Sequence, residues 1–279
     1  MNRIEAVANL SYSHEDFTAE NDYLWPQLLS LPYFRALLRA VEARFYRDIE
    51  LPSPCLDLGC GDGHFASMAF QRPLEVGLDP WTGPIHKASS TGAYQSLVQS
   101  TGAEIPFPDE YFASAVSNSV LEHIPEIDDV LRETNRVLKP GALFIFCVPN
   151  DHFLPNLSIA QGLDRVRLHG LARAYRSFFN RISRHQHCDS PATWQERLAK
   201  AGFIIDRWWH YFSPPALHTL EWGHYFGLPS LITHALTRRW ILVPRRWNLS
   251  LTHRLVRPHY DENPVRDDGT YTFYLARKG

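Results

Sequence analysis

Between residues 54 and 149 the chain alternates short apolar runs with stretches of helical periodicity, and this alternation constrains the fold more than any other feature. Strands are predicted at 55–58, 74–79, 94–98, 113–118 and 143–148. Helices are predicted at 64–71, 84–90 and 127–138, the last stopped by a turn at Lys139-Pro140-Gly141. Regular alternation of strand and helix indicates βαβ units, which require a parallel sheet covered by helices on both faces.

The flanking segments extend this pattern. Residues 1–50 are predicted to be helical, with apolar residues on one face of a helix at 32–46. Ser190 followed by Pro191 predicts a helix start, because serine caps the first amide groups and proline suits the first turn. Strands follow at 203–211 and 271–276, the latter antiparallel near one edge. We therefore predict an α/β fold, a doubly wound, mostly parallel seven-stranded sheet with helical cap insertions.

Charge divides the chain into two parts of opposite sign. Residues 1–150 hold 10 Lys and Arg against 20 Asp and Glu, whereas residues 151–260 hold 15 against 6. The basic stretch also carries 10 of the 14 histidines and 6 of the 8 tryptophans. This division indicates that the two parts have different roles.

Several classes of protein are excluded by what the sequence lacks. No run approaches the roughly 18 apolar residues that a membrane-spanning helix needs. Residues 1–17 contain no apolar core of a secretory signal. The four cysteines (Cys55, Cys60, Cys147 and Cys188) form no CxxC pair, which argues against a disulfide framework and a zinc ribbon. These observations predict a cytoplasmic protein.

The segment LDLGCGDGH at 56–64 joins the first predicted strand to the first helix. Its glycines at 59, 61 and 63 permit a tight turn and let a ligand approach the backbone without meeting a Cβ atom. The first strand–helix loop of a doubly wound sheet is where nucleotide-like ligands bind. The segment therefore predicts a ligand site.

Acidic residues around this loop indicate which ligand it takes. The dinucleotide fingerprint GxGxxG would need glycine at 64, where this chain has His64. Asp57 and Asp62 would repel a pyrophosphate and attract the ammonium and sulfonium groups of S-adenosylmethionine. Asp79 ends the second strand, where a carboxylate can accept both ribose hydroxyls. S-adenosylmethionine is the predicted cofactor, ahead of a nicotinamide or flavin cofactor and of a glycine-rich turn without a ligand.

At these residues the sequence resembles the class I S-adenosylmethionine-dependent methyltransferases, specifically the small-molecule type 11 group. The resemblance covers residues 50–150, in the family's order and spacing, with a weaker echo at 194–203. The matching stretches are 56–64, 76–79, 105–109 (IPFPD), 118–124 (NSVLEHI) and 136–141 (RVLKPG). The resemblance implies a Rossmann-like methyltransferase fold and says little about the acceptor.

The resemblance also implies a set of cofactor-binding residues near the ends of the predicted strands. The set is Asp57, Gly59, Cys60, Gly61, Gly63, Asp79, Pro80, Ala103, Glu104, Asn118 and Ser119. The glycine loop would contact the methionine part and Asp57 its ammonium. Asp79 would bind the ribose, residues 103–104 would lie beside the adenine, and residues 118–119 would face the sulfonium and the acceptor.

Two positions depart from the family's pattern. The family often has an acid three residues before Glu104, where this chain has Thr101. The Phe-Asp that follows the IPF stretch in the family is Phe112-Ala113 here. The first departure concerns the adenine contact, and the second concerns only the start of a strand.

A catalytic base is needed only if the acceptor is a hydroxyl or a similar group that must lose a proton. His123 follows the fourth strand at the carboxyl edge of the sheet and is one candidate, although the same position could serve packing. His185 and His187 are the others, since alternate residues of an extended chain share a face. With Cys188 they also suggest a metal, but no second ligand pair lies at a characteristic spacing, so no metal site is predicted.

A basic amphipathic helix is predicted across residues 162–184, with arginines on most of its surface. Its apolar stripe consists of Leu163, Val166, Leu171, Ala174, Phe178 and Ile182. Such a helix buries its stripe on the core by default. It can instead lie on an anionic membrane surface, or cap a pocket for an anionic acceptor.

Six segments are predicted along the chain. They are an N-terminal helical lid at 1–50, a cofactor-binding core at 51–150, a basic amphipathic insertion at 151–189, a core helix and strand at 190–212, an aromatic and basic cap insertion at 213–269, and a final core strand at 270–279.

The predicted function is methyl transfer from S-adenosylmethionine to a small-molecule acceptor, with O-methylation favoured and an anionic or lipid-like part on the acceptor. Residues 151–260 are predicted either to form a pocket for the acceptor or to contact a membrane surface, and no nucleic acid is expected. One rival is a nucleic-acid methyltransferase, which basic and aromatic residues would support and the acidic front half opposes. The other is a non-catalytic cofactor-binding partner protein, which the intact glycine loop opposes.

Overall fold

The computed structural model describes residues 22–279. Its strands are β1 (Cys55–Leu58), β2 (Leu74–Asp79), β3 (Tyr94–Gln99), β4 (Phe112–Asn118), β5 (Leu138–Pro149), β6 (Phe203–Tyr211) and β7 (Tyr271–Lys278). They form one seven-stranded sheet in the order β3-β2-β1-β4-β5-β7-β6. Strands β1 to β5 pair in parallel, and β7 pairs antiparallel with β5 and β6. The predicted fold class is confirmed, including the antiparallel last strand next to the edge.

Helices lie on both faces of this sheet. They are α1 (Leu24–Ser30), α2 (Tyr33–Tyr46), α3 (His64–Ala69), α4 (Thr82–Ala88), α5 (Ile127–Val137), α6 (Ser158–Arg165), α7 (His169–Ser183), α8 (Pro191–Lys200), α9 (Pro214–Phe226), α10 (Leu228–Thr237) and α11 (Arg246–Asp261). A short 3-10 helix covers Leu121–His123. No helix within residues 22–279 has the length and apolar character needed to cross a bilayer.

Side chains of β5 alternate between two apolar cores, because successive residues of a strand point to opposite faces. Ile145 belongs to the core shared with α1, α2, α9 and α11, whereas Phe146 belongs to the core shared with α5 and α8. Phe45 of α2 packs edge-on against Trp209 and Tyr211 of β6, with ring centroids 5.3 and 5.1 Å apart. These contacts fix α2 against the sheet.

The N-terminal segment was predicted to be helical throughout, and α1 and α2 occupy most of residues 24–46. Residues 1–21 lie outside the described range, together with the stretch examined for a secretory signal. The helix predicted at 127–138 is α5, which ends at Val137. The turn predicted at Lys139-Pro140-Gly141 is wrong, because these residues belong to β5, which begins at Leu138.

The single amphipathic helix predicted across residues 162–184 is wrong. The chain forms α6 and α7 instead, separated at Arg167, whose φ is 63°. The buried residues of α7 are Ala172 and Phe179, which each follow a predicted stripe residue by one position. Phe179 takes the inward place because it packs beside Phe153, with ring centroids 6.2 Å apart. The predicted stripe is therefore turned outward, and its members Val166, Leu171, Phe178 and Ile182 are exposed.

The start of α8 follows the prediction. The Ser190 hydroxyl accepts a hydrogen bond from the Thr193 amide at 3.3 Å, with Pro191 in the first turn. Ser190→Ala should lower the free energy of unfolding by about 1 kcal/mol, since it leaves that amide without its cap. Chemical denaturation measures the change, and Ser177→Ala on the exposed side of α7 is the control. Equal stability of Ser190→Ala and wild type would contradict the capping role.

Candidate active site

A cavity of about 1260 Å³ lies at the carboxyl ends of β1, β2 and β4. Ligand pockets commonly measure about 300–1,000 Å³, so this cavity is large enough for a ligand. The residues predicted as site residues that line it are Gly59, Cys60, Gly61, Asp79, Pro80, Ala103, Asn118, Ser119, His123 and His185. Four other predicted site residues are absent from its lining, namely Asp57, Gly63, Glu104 and His187.

The glycine loop turns tightly at the end of β1. The amides of Gly59 and Cys60 both donate to the Leu78 carbonyl, at 2.8 and 2.9 Å. Gly61 has a φ of 57°, and a Cβ atom added there would meet no atom within 4 Å. A Cβ on Gly59 would instead approach Val120 to 2.4 Å. Gly59 therefore serves packing, whereas Gly61 leaves the cavity side of the loop open to a ligand.

Asp79 holds this loop in place from the end of β2. Its Oδ2 accepts the Gly61 amide at 3.0 Å, and its Oδ1 accepts the Trp81 amide at 2.9 Å. A carboxylate can accept about four hydrogen bonds, so both oxygens keep capacity for a hydroxyl donor. Asp79 lines the cavity and is suited to the ribose role that the sequence predicted.

Asp57 lies behind the loop. The Tyr94 hydroxyl donates to its Oδ2 at 2.6 Å. Burial raises the pKa of Asp57 to about 6, although the hydrogen bond from Tyr94 favours the ionised form. The predicted contact between Asp57 and an ammonium remains a prediction, since the structure places this carboxylate off the cavity's lining.

Glu42 of α2 organises the end of β4 and was missed by the sequence analysis. The Asn118 amide donates to Glu42 Oε2 at 2.6 Å, and the Ser119 hydroxyl donates to Oε1 at 2.8 Å. Tyr211 donates to the same Oε1 at 3.0 Å, and Arg39 donates to Oε2 at 2.9 Å. Glu42 is fully buried, so this carboxylate fixes the two residues expected to face the reacting groups.

Arg35 and Arg39, one turn apart on α2, both line the cavity. Burial opposes the charge of Arg39, but the adjacent Glu42 carboxylate raises its pKa above the ordinary value. The sequence carries one signal for the buried Glu42 carboxylate, because Glu42 lies beside Leu38 and Val41 on the apolar face of the predicted helix. An acid on an apolar face requires buried partners.

The three candidate histidines have different surroundings. His123 Nδ1 lies 3.0 Å from the Arg184 carbonyl, and its ring centroid is 5.4 Å from that of His185. Partial burial lowers the pKa of His123, and burial lowers the pKa of His185 to about 3. His187 Nε2 lies 3.0 Å from the Ile124 carbonyl, and His187 does not line the cavity. Both cavity histidines are therefore neutral at physiological pH.

Glu122 lies beside these two rings. It is buried, its Oε1 lies 3.7 Å from His123 Nε2, and its Oε2 has no hydrogen-bond partner within residues 22–279. Burial raises the pKa of Glu122 to about 8. Potential ligand atoms of Glu122, His123 and His185 all lie within 4.8 Å of one another. This set could hold a cation, and it differs from the set considered in the sequence, where His187 and Cys188 joined His185.

Charges around the cavity come from separate elements. The carboxylates are Asp62 and Asp79 at the glycine loop and the end of β2, and Glu126 and Asp129 at the start of α5. The arginines belong to α2 and to the end of α7, where Arg181 and Arg184 line the cavity. A cationic ligand is therefore favoured at the loop, and an anionic one is favoured beside α2 and α7.

Comparison with known proteins relates residues 56–146 to a protein family. Residues 56–146 match the model of a methyltransferase domain. An uncharacterized methyltransferase of Mycobacterium sp. (strain JLS) is 33% identical over 91 residues, which are 32% of this chain and 36% of that protein. Another, from Mycobacterium marinum, is 33% identical over 93 residues, with the same shares. The chain thus spans about a third of the length of these relatives.

Solved structures extend the likeness over most of the chain, at the level of fold. An S-adenosylmethionine-dependent methyltransferase of Thermotoga maritima has a TM-score of 0.55 and 15% identity, covering 88% of this chain and 91% of that one. A geranyl diphosphate C-methyltransferase of Streptomyces coelicolor has a TM-score of 0.53 and 13% identity, covering 85% and 75%. Residues 56–146 therefore match a methyltransferase domain, and the solved structures show that the chain shares the methyltransferase fold.

Proposed function

We propose that this protein is an S-adenosylmethionine-dependent methyltransferase that acts on a small-molecule acceptor, with transfer to oxygen favoured and an anionic or lipid-like part on the acceptor. The observation that carries the proposal is the opening at Gly61, where a Cβ atom would meet nothing within 4 Å on the wall of a cavity of about 1260 Å³. The matching methyltransferase domain supports the same assignment.

The residues present fit this cofactor. Gly61 leaves room beside the backbone, Asp79 keeps acceptor capacity, and Asp62 lies nearby with negative charge. When bound, S-adenosylmethionine supplies an activated methyl group. The contribution of the protein is then to position the acceptor atom, to exclude water and, for a hydroxyl acceptor, to take up a proton.

Positioning falls to the rigid end of β4. The Asn118 and Ser119 side chains are held by Glu42, so their orientation is fixed before any ligand enters. Proton uptake falls to His123, which is neutral and keeps Nε2 available if Nδ1 donates to the Arg184 carbonyl. A hydroxyl acceptor near Ser119 and His123 would thus meet a fixed base at the wall of the cavity.

An anionic part on the acceptor is supported by the arginines of the cavity. Arg35 and Arg39 come from α2, and Arg181 and Arg184 from the end of α7. A guanidinium presents several donors in a planar fork that suits carboxylate and phosphate groups. These arginines lie on elements other than the acidic loop.

Labelled methyl transfer tests the proposal. The protein is incubated with a small-molecule cell extract and S-adenosylmethionine carrying an isotopically labelled methyl group. Untargeted mass spectrometry should then detect a labelled product with one added CH2, absent from a reaction with Gly61→Val protein. Cofactor binding without a product from any extract would favour the rival non-catalytic role.

The acceptor found in this way allows the arginines to be tested. Arg181→Gln with Arg184→Gln should raise the acceptor's KM about three- to tenfold, because an anionic group loses charged hydrogen-bond donors. Cofactor affinity should stay the same. Arg165→Gln with Arg173→Gln is a matched control, since both arginines are exposed and neither lines the cavity. An equal KM for the two double variants would contradict anionic recognition at this place.

A further inference from the structure

Helix α10 has two faces with different surroundings. On the inner side, His234 lines the cavity and stacks on Trp240, with ring centroids 4.1 Å apart. The Arg35 guanidinium lies 5.5 Å from the centroid of the Trp240 ring. Helix α10 and the residues that follow it therefore form part of the cavity wall.

The outer side of α10 is apolar and faces solvent. Leu228, Leu231, Ile232 and Leu236 recur at helical spacing and are between 53% and 80% exposed. No residue of α10 is buried. The folded core therefore gains little from these side chains, and the hydrophobic effect favours their transfer to another apolar phase.

Helix α11 carries exposed apolar residues of its own. Trp247, Leu251 and Leu255 follow one another at intervals of four residues, which places them on one face. All three are more than half exposed. We define the exposed apolar residues of α10 and α11 as the outer apolar face.

Positive charge predominates around the outer apolar face, and the acid of α11, Asp261, pairs with Arg257. Residues 222–260 contain six arginines and neither Asp nor Glu. The exposed arginines of this segment are Arg238, Arg239, Arg245, Arg246 and Arg254. Within the described chain none of these five forms an ion pair. A surface that combines leucine and tryptophan with unpaired arginines matches the boundary of an anionic bilayer, where acyl chains lie next to phosphates.

We propose that the outer apolar face docks on the surface of an anionic lipid bilayer. Its leucines and tryptophan insert at the boundary between headgroups and acyl chains, and its arginines contact lipid phosphates. Because the opposite side of α10 belongs to the cavity wall, docking places the cavity next to the membrane. A lipid-like acceptor could then enter without crossing water, a consequence that rests on the proposed methyltransferase function, whereas the docking itself does not.

Vesicle sedimentation tests the docking. The full chain is mixed with sucrose-loaded vesicles of phosphatidylcholine alone or with phosphatidylglycerol, and the bound fraction is measured against lipid concentration. We expect binding to the anionic vesicles that weakens at high salt. The triple variant Leu231→Gln, Ile232→Gln, Leu236→Gln should bind at least fivefold more weakly. It should fold normally, because none of the replaced side chains is buried.

A matched control replaces exposed apolar residues elsewhere. Tyr111→Gln with Ile204→Gln removes side chains that are 42% and 62% exposed on the loop before β4 and on β6. This variant should bind vesicles as wild type does. Quenching of Trp247 fluorescence by lipids with brominated acyl chains, lost in Trp247→Phe, should place this residue at the acyl boundary.

Two results would overturn the docking. The first is that the wild-type protein stays in the supernatant with anionic vesicles and forms a dimer, whereas the triple variant forms no dimer. The second is equal vesicle binding by wild type and the triple variant. Calorimetry with S-adenosylmethionine distinguishes a failure of the docking proposal from a failure of the proposed function. Cofactor affinity should be the same in the triple variant as in wild type.

Discussion

Replacing His123 with Gln should lower the turnover of a hydroxyl acceptor by about 10²–10⁴, the contribution typical of a positioned general base. Glutamine keeps a hydrogen-bonding group at this place but cannot take up a proton. Affinity for S-adenosylmethionine should hardly change, because the glycine loop and Asp79 lie on other elements. Single-turnover kinetics and calorimetry measure the two quantities separately.

The structure supplies a matched control for this substitution. His187→Gln replaces a histidine of the neighbouring loop whose Nε2 lies 3.0 Å from the Ile124 carbonyl, outside the cavity. It should retain most of the turnover. Full activity of His123→Gln would assign His123 to packing and leave His185 as the remaining cavity histidine to test. Loss of wild-type activity on treatment with a chelator would instead indicate that Glu122, His123 and His185 hold a metal.

The pH profile gives an independent measure of the same base. Partial burial lowers the pKa of His123 below its ordinary value of 6.5, so the neutral form dominates at pH 7 and above. We expect kcat/KM to rise with pH on the acid side, through a midpoint below 6.5, and then to level off below pH 8, where the neighbouring Glu122 ionises. Burial holds the pKa of His185 at about 3, so His185 should not contribute to this rise. The limb should be absent from the residual activity of His123→Gln.

Gly61→Val should weaken binding of S-adenosylmethionine more than tenfold, which is about 1.4 kcal/mol or more. Valine would place a branched side chain in the open space beside the loop. The backbone there has a φ of 57°, which a β-branched residue rarely adopts. The loop would also be expected to shift away from Asp79, whose Oδ2 accepts the Gly61 amide. Isothermal titration calorimetry measures the affinity.

Gly92→Val separates backbone strain from lost cofactor space. Gly92 has a φ of 69°, and a Cβ atom there also meets nothing within 4 Å, but the residue does not line the cavity. Both variants should lose stability, whereas only Gly61→Val should lose cofactor affinity. Similar losses of affinity in the two would mean that global destabilisation, rather than the loop, controls binding.

The glycine-loop side of the cavity could be predicted from the sequence because its determinants are local. Residues 56–64 contain the end of a strand, the turn and the start of a helix, so the position of Gly61 follows from neighbours along the chain. The alternation of strands and helices similarly fixes which strand ends meet at one edge. Asp79 and Ser119 therefore come to the cavity as the sequence predicted.

The acceptor half depends on contacts between distant segments. Glu42 bonds Asn118 and Ser119, 76 and 77 residues along the chain, and periodicity alone does not reveal such a partner. The apolar stripe predicted at 162–184 also shows that periodicity alone does not reveal contacts between distant segments. Its spacing suits a buried face, but the fit of Phe179 beside Phe153 decides which side of α7 turns inward.

Calorimetric titration of the full-length wild-type protein with S-adenosylmethionine tests the central claim most directly. The account predicts saturable binding at one site, with an affinity that falls more than tenfold in Gly61→Val and is unchanged in Gly92→Val. A titration without binding heat, in which the cofactor also leaves the melting temperature unchanged, would contradict the assignment of the glycine loop as a cofactor site.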